Sequence, residues 1–156
     1  MNAETPPTLY EWAGGSEAFE RLTAAFYEKV KRDELLEPVF REMDPGHPHH
    51  VAVWLAEVFG GPPLYTEQHG GYPHMLKKHH GVVIDESRRR RWVQLICDAA
   101  DDAGLPTDPE FRSAFVAYVE WGTRLALANT QPGAQPPREA PVPRWGWGEA
   151  PPYTPG

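Results

Sequence analysis

Apolar residues recur at helical spacing along most of the chain, and no segment shows the alternation typical of a half-buried strand. From Ser16 to Lys31 they lie three or four residues apart, which predicts a helix with Ser16 as its N-cap. Pro38 interrupts the short apolar run that follows. It predicts a turn there, because proline breaks the interior of a helix.

A helix, a loop and a second, short helix are predicted in the middle of the chain. Pro48 fits the first turn of a helix that stops at the Gly- and Pro-rich residues 60–63. Residues 62–74 are predicted to form a loop, and a short helix is predicted from Pro73 to His80.

Two long helices are predicted after this point. Asp85 or Ser87 can cap the first of them, which stops at Gly104. The second begins near Thr107 or Asp108, with Pro109 in its first turn. The pattern as a whole predicts an all-α fold of five main helices.

Proline dominates the sequence beyond Asn129 and excludes a regular helix there. The chain is therefore divided into a helical domain, residues 1–129, and a Pro- and Trp-rich extended tail, residues 130–156. Exposed tryptophans are costly, so Trp145 and Trp147 favour a tail that lies against the domain over a disordered one. A recognition peptide is the alternative.

Charge and cysteine usage narrow the class of protein. The formal net charge is −7, so no overall positive field attracts nucleic acid or an anionic membrane surface. The basic run Arg88 to Arg91 is interpreted as a solvated helix face. The lone Cys97 excludes an internal disulfide, and neither a signal peptide nor an apolar run of about 20 residues is found. We expect a cytoplasmic protein.

His79 is the candidate metal ligand. On a helix it shares a face with apolar residues, whereas His80 lies nearer the solvent edge. A neutral imidazole on an apolar face is a good axial ligand for iron. A core histidine that bonds a backbone carbonyl is the alternative interpretation.

Two polar aromatic residues are candidates for the other side of the same site. Tyr27, beside Phe26, carries a hydroxyl that needs a partner if it is buried, and Trp92 adds an indole donor. Opposite an apolar histidine, these donors suit a pocket that holds a polar diatomic ligand.

Four segments together resemble the group II truncated haemoglobins, which are shortened globins with a two-over-two helical sandwich around haem. The segments are "AFYEKV", "FGGP", "YTEQHGGYPHMLKKHH" and "RRWVQLI", and they match between residue 8 and about residue 128 in order and spacing. The resemblance implies the truncated globin fold and haem b as cofactor.

Carried over by position, His79 resembles the proximal iron ligand, and Tyr27 and Trp92 resemble the distal donors. Phe40 stands where many relatives have a tyrosine, so one distal hydroxyl is missing. His47 either lines the ligand entrance, as a second distal ligand or gate, or is exposed. Lys78 either pairs with a haem propionate or is solvated. The implied haem contacts are Phe26, Phe40, Val51, Trp54, Leu55, Tyr72, Met75, Leu76, Lys78 and Val83.

The resemblance implies binding of O2, NO or CO. Two charge-assisted hydrogen bonds, about 1.5–3 kcal/mol each, would slow ligand release, which favours redox use of the ligand over simple delivery. That use would be nitric oxide or peroxide detoxification with an unidentified reductase, and O2 storage or sensing is the other option. A monomer or a homodimer is expected. The two rival classes are a non-haem metal protein and a cofactor-free helical interaction domain.

Overall fold

The computed structural model describes residues 5–71, 84–136 and 140–148. Seven helices lie within these ranges, and no strand does. They are α1 (Leu9–Ala13), α2 (Ser16–Lys31), α3 (Glu37–Phe40), α4 (His47–Val58), α5 (Leu64–His69), α6 (Glu86–Asp102) and α7 (Pro109–Thr130).

The four longer helices make a two-over-two sandwich. Helix α2 packs against α4, α6 packs against α7, and α2 also packs across on α6. The centre is aromatic, because Phe19, Phe59 and Phe115 stack with ring centroids 5.7 and 5.9 Å apart. The predicted all-α fold is confirmed for the described residues.

Capping residues explain where the long helices begin. Asp85 accepts a hydrogen bond from the Arg88 amide at 2.8 Å, and Asp108 accepts one from the Phe111 amide at 2.9 Å, as expected of N-caps. The prediction that Ser16 caps α2 was wrong, because Gly15 is the N-cap and Ser16 is the first helical residue. The Ser16 hydroxyl instead bonds the Tyr10 hydroxyl at 2.8 Å.

The loop predicted over residues 62–74 contains a helix. Helix α5 occupies six of its residues, and Glu57 at the end of α4 accepts from both the amide and the hydroxyl of Thr66, at 2.9 and 2.6 Å. Glu57 is buried, and these two hydrogen bonds replace the hydrogen bonds to water that its carboxylate loses on burial. The short helix predicted from Pro73 to His80 lies outside the described residues.

The basic run is not a uniformly solvated face. Arg90 is exposed, but Arg89 is buried, with 3% of its surface accessible. Its guanidinium donates to Glu86 within α6 and to Glu120 on α7. The interpretation failed at this position because α7 covers that side of α6 and supplies the buried arginine with an acidic partner.

Helix α1 is held against the end of α4 by a close backbone approach. The Tyr10 amide donates to the Phe59 carbonyl at 2.8 Å. A Cβ on Gly61 would lie 2.7 Å from the Tyr10 ring and 2.8 Å from the Ala56 carbonyl oxygen. Glycine is required there because no side chain fits.

The end of the chain lies on the helical sandwich. We call residues 140–148 the C-terminal strap. Its Trp145 amide donates to the Val58 carbonyl at 2.7 Å, and its Trp147 indole donates to the Pro7 carbonyl at 2.7 Å. Val142 is buried. The strap therefore ties the N-terminal segment, the end of α4 and the face of α7 together.

Candidate functional site

Five aromatic side chains from four helices form one contiguous group, which we call the distal cluster. Its members are Phe26, Tyr27, Phe40, His47 and Trp92. The Phe26 ring is the link, with its centroid 4.8 Å from both the Tyr27 and Trp92 rings. The structure thus brings together the residues that the sequence nominated for the distal side.

Tyr27 lies in the middle of this cluster. Its ring contacts Phe40 at 5.8 Å and His47 at 5.4 Å, and only 3% of its surface is accessible. Burial raises the pKa of Tyr27 well above its ordinary value, because the phenolate would lose its hydration. The hydroxyl, which is protonated at neutral pH in any tyrosine, therefore remains a hydrogen-bond donor at alkaline pH as well.

Phe40 and Trp92 flank the cluster at its two ends. Both are partly buried and pack against the core, unlike Phe26, which is fully buried. The cluster therefore has a sealed interior and a partly open border. Met43 shares the partly buried apolar environment of Phe40 and was not nominated from the sequence.

Helix α4 supplies further residues that were expected to line the site. Val51 is partly buried, one turn after His47, and Leu55 is buried one turn further on. Trp54 is also buried, and its indole donates to the Tyr118 hydroxyl at 2.8 Å. The Trp54 indole N–H is thus engaged with α7.

The remaining predicted site residues lie outside the described residues. They are His79, Tyr72, Met75, Leu76, Lys78 and Val83. His80 also lies outside the described residues, so the assignment of iron to His79 rather than His80 stays a prediction.

The described side of the site fits a haem group in its chemistry. A haem face needs an apolar wall, and a diatomic ligand beside it needs a donor that does not ionise. The distal cluster supplies aromatic surface, and Tyr27 supplies a buried neutral hydroxyl. In residues 5–71, 84–136 and 140–148, no three His, Cys, Asp or Glu side chains come close enough to share a metal ion. The described residues therefore offer no set of ligands for the alternative interpretation, a non-haem metal site.

The sequence analysis assigned Arg91 to a solvated face and did not single out Asp33, but the two form an ion pair at 2.5 Å between Asp33 Oδ1 and Arg91 Nε. Asp33 is buried and lies just before α3, and Arg91 precedes Trp92 on α6. An aspartate often accepts hydrogen bonds from backbone amides two or three residues later, and Asp33 does so from Leu35 and Leu36. This turn is the part of its role that the local sequence could have indicated. No local signal linked it to Arg91.

Comparison with known proteins points to one family. Residues 8–120 match the family described as bacterial-like globin. The chain is 32% identical over 117 residues to the group 2 truncated hemoglobin YjbI of Bacillus subtilis (strain 168), covering 75% of this chain and 86% of that protein.

Solved structures agree with the sequence match. The group II truncated hemoglobin of Bacillus anthracis is similar with a TM-score of 0.72 and 27% identity, over 83% of this chain and 98% of that one. The truncated oxygen-avid haemoglobin of Bacillus subtilis is similar with a TM-score of 0.68 and 30% identity, over 78% and 98%. Within the part of the chain that the structure describes, no helix is both long and apolar enough to cross a membrane.

Proposed function

This chain belongs to the bacterial-like globin family as a group II truncated haemoglobin, and from that premise we propose that it binds O2, and also NO or CO, at haem b held by His79. Globins bind haem, so the class of cofactor follows from the family. The choice of haem b, the axial role of His79 and the roles of the distal residues are the proposal.

The buried hydroxyl of Tyr27 inside the distal cluster carries the proposal. Tyr27 is 3% exposed, and the rings of Phe26, Phe40 and His47 contact it, so its neutral hydroxyl lies in a place with little water. A donor in such a place gains more from a polar ligand than it would at the surface, because the local dielectric is low. Trp92 provides a second donor across Phe26.

When bound, haem supplies a ferrous iron with one open position for a diatomic ligand. The protein's own residues decide how long the ligand stays. Tyr27 and Trp92 donate hydrogen bonds to it, Phe26 and Phe40 exclude water, and His47 borders the entrance. Two charge-assisted donors, each worth about 1.5–3 kcal/mol, slow release by a few orders of magnitude.

Slow release favours use of the bound ligand in a redox reaction over simple oxygen delivery. Nitric oxide or peroxide detoxification is the use we propose, and it requires a reductase as partner. The structurally similar protein from Bacillus subtilis is itself described as oxygen-avid, which supports tight O2 binding here. Storage or sensing is the alternative with the same binding chemistry. We place the protein in the cytoplasm, as a monomer or a homodimer.

The O2 dissociation rate of the ferrous protein tests the proposal. We expect Tyr27→Phe and Trp92→Phe each to release O2 about 10- to 100-fold faster, because each removes one charge-assisted hydrogen bond. Stopped-flow replacement of O2 by CO measures this rate.

Matched controls come from residues whose donors are already engaged elsewhere. Tyr10→Phe removes a hydroxyl that bonds Ser16, and Trp12→Phe removes an indole that donates to Asp108 at 2.8 Å. Both controls should keep the rate of the unmodified protein. If Tyr27→Phe and Trp92→Phe also kept it, neither side chain would hold the ligand, and the proposed distal chemistry would be wrong.

A further inference from the structure

We propose that the ion pair between Asp33 and Arg91 is a positioning device that holds the two borders of the distal cluster in register and thereby sets ligand retention. Phe40 and Trp92 are these borders. Trp92 directly follows Arg91 in the chain, and Phe40 lies seven residues after Asp33, at the end of α3. The inference rests on the proposed function, and it assigns Asp33 and Arg91 as positioning residues that act through Phe40 and Trp92.

Asp33 organises the turn that leads into α3. Its Oδ2 accepts from the Leu35 and Leu36 amides at 3.2 and 3.0 Å, and its own carbonyl accepts from the Glu37 amide at 2.9 Å. The Asp33 side chain is 5% exposed. A buried carboxylate of this kind fixes the local backbone because its oxygens have few other partners.

Helix α3 transmits this position to the cluster. The Phe40 amide donates to the Leu36 carbonyl at 3.3 Å, and Leu36 is buried. The Phe40 ring then contacts Tyr27 and also His47, whose ring centroid is 6.2 Å away. Only the turn at residues 34–36 and the single turn of α3 separate Asp33 from Phe40, so a displaced Asp33 moves Phe40 against Tyr27.

Arg91 provides the second anchor, on α6. Among the four consecutive arginines, Arg88 pairs with the α6 N-cap residue Asp85, and Arg89 and Arg90 pair with acidic residues of α6 or α7. Arg91 instead reaches Asp33 and also donates to Gln94 at 3.0 Å. Trp92, the next residue in the chain, contacts Phe26. The ion pair is therefore connected to the distal cluster through the backbone between Arg91 and Trp92.

Arg91 and Asp33 differ in burial, and this difference explains why the loss of Arg91 should disturb the turn at Asp33. Arg91 is 38% exposed, but Asp33 is almost fully enclosed. Removing the arginine leaves an uncompensated buried carboxylate, which is costlier than losing a surface pair. The carboxylate relieves that cost by turning to water, and the Leu35 and Leu36 amides lose their acceptor. Helix α3 then loosens, and Phe40 no longer closes the cluster.

Two measurements on the haem-loaded protein test the inference. We expect Arg91→Gln to release O2 roughly tenfold faster, which is the scale of mutations that act on a site through an intervening residue. In the CO-bound protein the Leu36 and Phe40 amides should exchange hydrogen faster. Arg91→Lys keeps the charge and should restore both readouts in part. Arg90→Gln removes an exposed arginine that pairs only with Glu86, and it should change neither.

Asp33→Asn is a second, milder variant, because an amide oxygen can still accept from Leu35 and Leu36. It should raise the O2 dissociation rate in the same direction, and the combination with Arg91→Gln should add little more. Faster exchange at Leu36 and Phe40 with an unchanged O2 rate would overturn the inference, since the pair would then be merely structural. Unchanged exchange would overturn it as well.

These outcomes are separable from failure of the proposed function. That failure appears as unchanged O2 release in Tyr27→Phe and Trp92→Phe. If those variants release O2 faster while Arg91→Gln does not, the distal donors stand and only the positioning role falls.

Discussion

Trp147 in the C-terminal strap is expected to stabilise the fold without acting on the ligand. Its ring lies edge-on to Trp12 at 5.9 Å and contacts Phe111 at 6.5 Å, and its indole donates to the Pro7 carbonyl. None of these partners belongs to the distal cluster. The variant Trp147→Ala removes this anchor and leaves the cluster untouched.

The magnitude follows from buried area and chain entropy. A fully buried tryptophan removes about 150–250 Å² from water, and the lower figure is used because Trp147 is only partly buried. At about 25 cal/mol per Å², the lower figure is worth about 4 kcal/mol, and the hydrogen bond adds about 1 kcal/mol. Residues 146–148 regain about 1 kcal/mol each in backbone freedom when they detach. The expected net loss of unfolding free energy is about 2 kcal/mol.

Thermal unfolding of the haem-loaded protein, followed by circular dichroism at fixed protein and haem concentration, measures this loss. For a chain of this size, 2 kcal/mol corresponds to a Tm lower by about 4–8 °C. Arg144→Ala is the matched control, because Arg144 is an exposed strap residue. The O2 dissociation rate of Trp147→Ala should equal that of the unmodified protein.

Two results would refute this reasoning. If Trp147→Ala and Arg144→Ala unfolded at the same temperature, the strap contacts would contribute nothing to stability. If Trp147→Ala instead abolished haem binding or changed O2 release while its Tm was unchanged, the tail would be part of the working site. The latter result would revive the interpretation in which the tail, rather than the helical domain, carries the function.

Two further predictions concern the proximal residue and the acidic partners of α6. His79→Ala should change the Soret and visible bands of the ferrous protein because the axial nitrogen is lost, whereas His80→Ala should leave them unchanged; identical spectra for all three proteins would refute the assignment of iron to His79. The Arg89 and Arg90 guanidinium groups lower the pKa of Glu86 from 4.5 to about 2. The ionised Glu86 carboxylate therefore contributes to stability above pH 4.5, and this contribution is lost as the pH falls towards 2. Acid unfolding of Glu86→Gln should therefore show a shallower loss of stability across this window, and an unchanged pH profile would contradict that contribution.

The long helices could be predicted because each presents an apolar stripe over several turns. Helices α2, α6 and α7 begin within a residue of the predicted positions, where glycine, aspartate and proline mark the starts. Helices α1, α3 and α5 contain five, four and six residues. A segment of that length spans less than two turns, so its periodicity is not recognisable. Glycines and prolines on both sides of α5 are typical of loops, which is a second reason why this helix was not predicted.

In the candidate site, features that depend on neighbouring residues could be predicted, and contacts between residues far apart in sequence could not. Phe26 and Tyr27 are adjacent in sequence, and their helical context already indicates that both are buried. The Asp33–Arg91 pair joins residues 58 positions apart. Each residue has several charged neighbours in sequence, so neither the partner nor the burial of Asp33 could be inferred from the chain alone. Family resemblance did not mark the pair either, because it draws attention to residues that touch the haem.

Helix α4 connects the strap to the distal cluster, and its length explains why the two should act independently. Its first residue, His47, contacts Tyr27, and its last residue, Val58, accepts the hydrogen bond from Trp145. At 1.5 Å per residue these ends are about 16 Å apart. Between them the helix is anchored a third time, where Trp54 donates to Tyr118 on α7. Removal of Trp147 loosens the strap beyond Trp145, whose ring still packs on Tyr118 at 5.6 Å. We therefore expect this change to lower stability and to leave the residues around the ligand in place.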